Sequence, residues 1–154
     1  KIRLGRYDCS DWHKEIISLS EIGTWPGFNS IDVRLTVGNV IDTAQAIESY
    51  ENSRISLHYN DPCEMEKRVS AFRRFLVKSI SIRNNLDFVI ERFPIILLQG
   101  GEIRERDYNS WARENNAPLC RISKHDLDDG NCRAVSYAFG GIKEVDCFYG
   151  ARRQ

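Results

Sequence analysis

The spacing of apolar and polar positions first sets one long helix apart from the chain around it. Met65, Val69, Phe72 and Leu76 recur at helical spacing, which predicts a core-facing stripe. Asp61 supplies an N-cap. Pro62 takes the first helical position, where its missing N–H is no loss, and Glu64 completes a capping box. Ahead of this helix, Arg54–Tyr59 places Ile55, Leu57 and Tyr59 on one face, the two-residue period of a strand. Behind it, Asn84-Asn85 turns the chain into two further predicted strands, Leu86–Glu91 and Ile95–Leu98. The second is apolar on both faces and reads as a buried strand.

The flanking segments are also patterned. Lys1–Tyr7 and Glu15–Ile22 have strand character and are joined by a polar turn at Asp8-Cys9-Ser10-Asp11. Ile31, Val33, Leu35 and Val37 alternate with Asp32, Arg34 and Thr36, which predicts a half-buried strand. Val40–Tyr50 reads as a short helix capped by Asn39 or Asp42. After Gly100-Gly101, Ile103–Asn115 is helical with Trp111 as its expected anchor. Leu119–Ser123 is a short strand, and Asp126–Asn131 is a turn. Arg133–Phe139 and Lys143–Tyr149 read as a terminal hairpin around Gly140-Gly141-Ile142, with Tyr137 opposite Val145 and Val135 opposite Cys147.

Strands that follow one another without intervening helices imply antiparallel pairing. The expected fold is therefore α+β: a mixed, mostly antiparallel sheet curled into a barrel with two packed helices over residues 1–99. A C-terminal extension, residues 100–154, adds the last helix, a strand and the hairpin.

Charge narrows the functional classes. Twenty-two basic residues balance 22 acidic ones, which removes the basic excess expected of a general nucleic-acid binder. The longest apolar run, Phe93–Leu98, is interrupted by Pro94 and too short to span a membrane. Five cysteines without a C-x-x-C pair argue against a disulfide framework or a zinc centre and for an intracellular protein with free thiols.

Three places invite a chemical reading. Asp129-Gly130-Asn131-Cys132 resembles the signature of ovarian-tumour-type cysteine proteases, in which the cysteine is the nucleophile and opens a helix. That family places its histidine after the cysteine, and none follows Cys132 here. The acidic residues Asp126, Asp128 and Asp129 lack the spacing of a calcium loop, so no metal is expected. Gly100-Gly101, between a buried strand and a helix, has the setting of a phosphate loop, although Glu102 and Glu105 beside it oppose an anion. No cofactor motif is present. On the long helix, Lys67, Arg74 and Lys78 share a line, with Arg73 adjacent and Arg83 just beyond. Lys78, Arg83 and Arg74 make a candidate basic patch for a phosphorylated or acidic peptide.

Taken in order, the pattern resembles a SPOC domain, the α+β barrel of Spen-type corepressors and some chromatin-silencing proteins. The resemblance rests on Trp25-x-Gly27 and on the series Ile31–Val37, Val40–Tyr50 and Arg54–Tyr59. It rests also on Phe75-Leu76-x-Lys78, Arg83 and Phe88-Val89. It implies a non-enzymatic interaction module of a nuclear silencing complex, with Lys78 and Arg83 at the positions that hold a phosphoserine peptide in some members. A second class, a small α/β enzyme or nucleotide-binding domain using Gly100-Gly101, or a cysteine protease using Cys132, is the alternative.

Overall fold

Ile95, Leu97 and Leu98 are almost wholly buried, as a strand covered on both faces must be, and this segment is the middle of the sheet. The computed structural model describes residues 6–52, 57–121 and 125–153. Among them the strands are β1 (Ser10–Ser18), β2 (Ile22–Gly23), β3 (Ile95–Gln99), β4 (His125–Asp129) and β5 (Glu144–Arg152). They form one mixed sheet in the order β1-β5-β3-β4-β2. Strand β3 runs parallel to β5 and antiparallel to β4, while β1 is antiparallel to β5 and β2 is parallel to β4. Strands from either side of residue 100 thus share one sheet.

The helices are α1 (Val40–Glu51), α2 (Pro62–Arg83), α3 (Leu86–Arg92), α4 (Gly101–Glu114) and α5 (Asn131–Phe139). Their ends follow local chemistry. Asn39 Oδ1 accepts from the Asp42 amide at 2.8 Å to start α1, and Asp61 Oδ1 accepts from the Cys63 amide at 2.9 Å to start α2 behind Pro62. Glu64 does not close a capping box. It turns to the Arg68 guanidinium at 2.5 Å, a pair one helical turn away. Helix α5 lies against β3, with α1 and α2 packed on it. The core between sheet and helices joins Ile17, Leu97, Leu127 and Val145 to Val135, Tyr137, Phe75 and Ile47.

The fold is α+β, but the expected barrel does not form. The sheet is open, with β1 at one edge and β2 at the other. Closure needs enough strands to curl the sheet onto itself, and three predicted strands take other forms. Residues Ile31–Val37 fold around a 3-10 turn at Val33–Leu35, because Asp32 Oδ1 accepts from the Arg34 amide at 2.8 Å and caps the turn. Such local side-chain bonds compete directly with a sheet ladder. Leu86–Glu91 is the start of α3, and Leu86, Val89 and Ile90 reach the core at helical spacing.

Arg133–Phe139 is helical too. Gly130, at φ 104°, turns the chain left-handed and α5 begins at Asn131, so there is no terminal hairpin. Val135, Tyr137, Val145 and Cys147 do share a core, across a helix–sheet interface rather than along a two-stranded ribbon.

Smaller differences follow the same logic. The N-terminal strand runs Ser10–Ser18 rather than Glu15–Ile22, and the predicted Asp126–Asn131 turn is mostly β4. Arg6–Asp8 are helical, whereas residues 1–5 of the predicted first strand lie outside the described residues. Of Arg54–Tyr59 and Leu119–Ser123, residues 54–56 and 122–123 also lie outside them, and the remainder has no regular structure. On α2 the buried residues are Ala71, Phe72, Phe75, Ser79 and Ile82, so the core face is rotated from the predicted stripe and Met65 is exposed. Trp111 is half-exposed and does not anchor α4. Arg104, Asn109 and Ala112 are the buried positions there.

Candidate anion site at the carboxyl end of β3

Strand β3 ends at Gln99, and Gly100 turns the chain into α4 with φ 108°, a conformation that favours glycine. A second constraint acts at the same residue. A Cβ on Gly100 would stand 2.5 Å from Arg152 Nη2, so the bare backbone leaves room for a guanidinium at the mouth of the helix. Arg152 is held there because its own amide donates to Gln99 Oε1 at 2.9 Å, which ties the end of β5 to the end of β3. Among the described residues no carboxylate pairs with Arg152.

Arg104, on the first turn of α4, is nine-tenths buried. Its Nη2 donates to the Gly23 carbonyl at 3.0 Å, and its guanidinium stacks 4.4 Å above the Trp25 ring. Nε lies 2.8 Å from Asp126 Oδ1, close enough for an ion pair although not aligned as a hydrogen bond. Nη1 has no hydrogen-bond partner among the described residues. Burial pulls this guanidinium below its ordinary pKa, and Asp126 is the strongest influence in the other direction. The second oxygen of Asp126 accepts from Arg6 Nη2 at 2.7 Å, so one buried carboxylate lies between two arginines.

Arg6, Arg104 and Arg152 line a cavity of about 540 Å³ with Gly100, Trp25, Ile103, Tyr108 and Trp111. The acidic members of its wall are Asp126, already shared by two cations, and Asp107, whose carboxylate faces Arg106 at 2.9 Å. Glu102 and Glu105, which the sequence sets against an anion here, are not part of the lining. The result is a cationic, aromatic pocket at a strand's carboxyl end and a helix's amino end, where unpaired backbone N–H groups also favour negative charge.

The other candidate residues lie elsewhere. Lys78 lines a separate cavity of about 420 Å³ beside Gly130, Asn131, Cys132 and Arg133. Arg83 stacks on Phe139 at 5.4 Å, and Arg74 is exposed. Cys132 does open a helix, contrary to the strand predicted there, but it is buried. That burial pushes its thiol up, against the opposing pull of Lys78, the Ser136 hydroxyl and Arg133. No histidine lines its cavity. His125 packs its ring against Tyr149 at 5.1 Å, and His13 meets Glu15 at 3.0 Å. Among the described residues, no group of three or more His, Cys, Asp or Glu side chains is placed to hold a metal ion. No helix among them is long and apolar enough to cross a membrane.

Arg6, Arg152 and Asp126 escape a sequence reading of this site because they are distant in the chain, 120 residues separating Arg6 from Asp126. Only the glycine pair, with Arg104 close behind it, carries a local signal. Comparison with known proteins finds no matching family model, no matching curated protein and no matching solved structure.

Proposed function

We propose that this chain is a small-molecule-binding domain whose ligand carries a phosphate group, seated at the carboxyl end of β3 between Gly100, Arg104 and Arg152. The observation that carries the reading is Arg104: a buried guanidinium in the cavity wall with Nη1 unsatisfied by any described residue. A buried donor without an acceptor costs about 1–3 kcal/mol. Nη1 has almost no accessible surface, so an anionic oxygen is met first by Arg152 and relieves Nη1 only through a small rotation of the Arg104 guanidinium. Arg152 adds a guanidinium that no carboxylate among the described residues pairs, and planar guanidinium groups suit phosphate oxygens. The position also fits the tendency of open sheets that contain parallel strands to bind ligands outside the strands' carboxyl ends. A second reading, the interaction module of a nuclear silencing complex, rests on the sequence resemblance alone, since the sheet is open and not a barrel.

The test is calorimetric titration of the chain with inorganic phosphate and pyrophosphate at low salt. Saturable binding is expected, weakened on the order of tenfold in Arg152→Ala, because a hydrogen bond to a charged group contributes roughly 1.5–3 kcal/mol. Arg74→Ala, on the exposed face of α2, is expected to leave binding unchanged. Absence of saturable binding in the unmodified chain, or equal loss in both variants, overturns the proposal.

A further inference from the structure

The end of the cavity away from Arg152 is walled by rings. Trp25 is 41% exposed and Trp111 50% exposed, and both face the same space as Tyr108. Single exposed aromatics are ordinary, but three around one cavity with an arginine end form a coherent surface. The rings are also held. Tyr108 donates its hydroxyl to the Pro118 carbonyl at 3.1 Å, and its ring stands 5.6 Å from that of Trp111. Trp25 is engaged by Arg104 on one face, and its amide donates to Asn131 Oδ1 at 2.8 Å.

Resting on the phosphate reading above, we infer that the ligand is a nucleoside phosphate. Its phosphate sits at Gly100 and its base stacks on Trp111, with the Tyr108 ring tilted 45° beside it. The polar inventory selects this class over a sugar phosphate. A sugar needs several hydroxyl partners, yet Asp107 offers only the oxygen not turned to Arg106 and the Tyr108 hydroxyl donates to Pro118. Ile103 and the rings make up the rest of that wall. A flat base needs only a flat partner, since every base has a π-face and stacking is sequence-tolerant. The same inventory limits base selectivity. No amide side chain and no hydroxyl other than Tyr108's lines the cavity among the described residues, and its charged groups are engaged with one another or stand at the phosphate end, so base identity is read weakly. The volume of about 540 Å³ is in the range of roughly 300–1,000 Å³ typical of small-ligand sites.

The experiment titrates the chain with the four ribonucleoside 5′-monophosphates, ribose 5-phosphate and inorganic phosphate, followed by calorimetry and tryptophan fluorescence. The monophosphates are expected to bind on the order of tenfold more tightly than ribose 5-phosphate, with little spread among the four bases. Trp111→Ala is expected to bring them down to the ribose 5-phosphate level and to leave ribose 5-phosphate itself unchanged. Trp111→Phe should restore part of the difference. Equal affinity for monophosphates and ribose 5-phosphate defeats the nucleoside inference while the phosphate reading stands. Failure of every phosphate to bind defeats both.

Discussion

Arg104 Nε and Asp126 Oδ1 lie 2.8 Å apart, and neither side chain is more than 8% exposed. The two come from the start of α4 and the start of β4, so this contact joins a helix to the sheet it covers. Its strength depends on both charges being present. Asp126→Asn leaves the Arg104 guanidinium buried without its counter-ion and releases Arg6 as well. Removing one member of a buried pair costs about 3–5 kcal/mol. Urea unfolding of Asp126→Asn should show a loss of that size, whereas Asp107→Asn on the exposed face of α4 should stay within about 0.5 kcal/mol of the parent. A loss below about 1 kcal/mol for Asp126→Asn would mean the pair is not a structural contact.

Tyr137 offers the opposite case. It is fully buried in α5, and its hydroxyl has no hydrogen-bond partner among the described residues. Tyr137→Phe removes the unsatisfied group and keeps the ring, so stability should rise by about 1 kcal/mol or more. For a chain of this size that is roughly 2–4 °C in Tm by calorimetry. A fall in Tm would show that the hydroxyl is satisfied.

The cysteines should divide cleanly by reactivity. Cys9 and Cys63 are exposed, whereas Cys120, Cys132 and Cys147 are buried. Burial raises all three buried thiols, Cys120 to about 11 and Cys147 to about 12. Only the thiolate attacks. Ellman's reagent at pH 8 should therefore titrate two thiols quickly in the folded chain and five in denaturant. A fast reaction at Cys132, located by mass spectrometry, would revive a nucleophilic role for it.

Asp32 sets an acid-side prediction. Burial raises its pKa, but the hydrogen bond from Arg34, with further help from Tyr59, outweighs this and holds the carboxyl below 3.8. Its folded value is depressed, so the stability it contributes is complete above the unfolded value near 3.8 and is lost as pH falls through the lower folded value. Denaturant unfolding of Asp32→Asn against the parent should show a deficit at neutral pH that shrinks below this window. A deficit independent of pH would place the contribution in packing instead.

Legibility from sequence tracked how local each determinant is. Helices α1 and α2, strand β3 and the body of β5 were readable because caps, proline and two- or 3.6-residue periods are local signals. Helix α5 was not. It is short and enclosed by sheet and helices, so Cys132, Ala134, Val135, Ser136 and Tyr137 are all buried, and its polar side is only Arg133 and Ser136. Val135, Tyr137 and Phe139 then imitate a strand. Ile31–Val37 misled for a different reason, because the alternation is real but the Asp32 side chain caps the backbone before a ladder can form. Of the pocket at Gly100, the glycine pair was visible. The three arginines were not, because tertiary pairing alone assembles them.

Strand β5 lies between β1 and β3, yet it follows every other strand in the chain. During synthesis the ribosome must therefore deliver Glu144–Arg152 before the two halves of the sheet can be stitched together. Until then β1 has no neighbour at all and β3 has one side bare, both open to mispairing with other nascent chains. Assembly of this sheet waits on Glu144–Arg152, and a chain cut short of that strand is a sticky intermediate rather than a smaller version of the same protein.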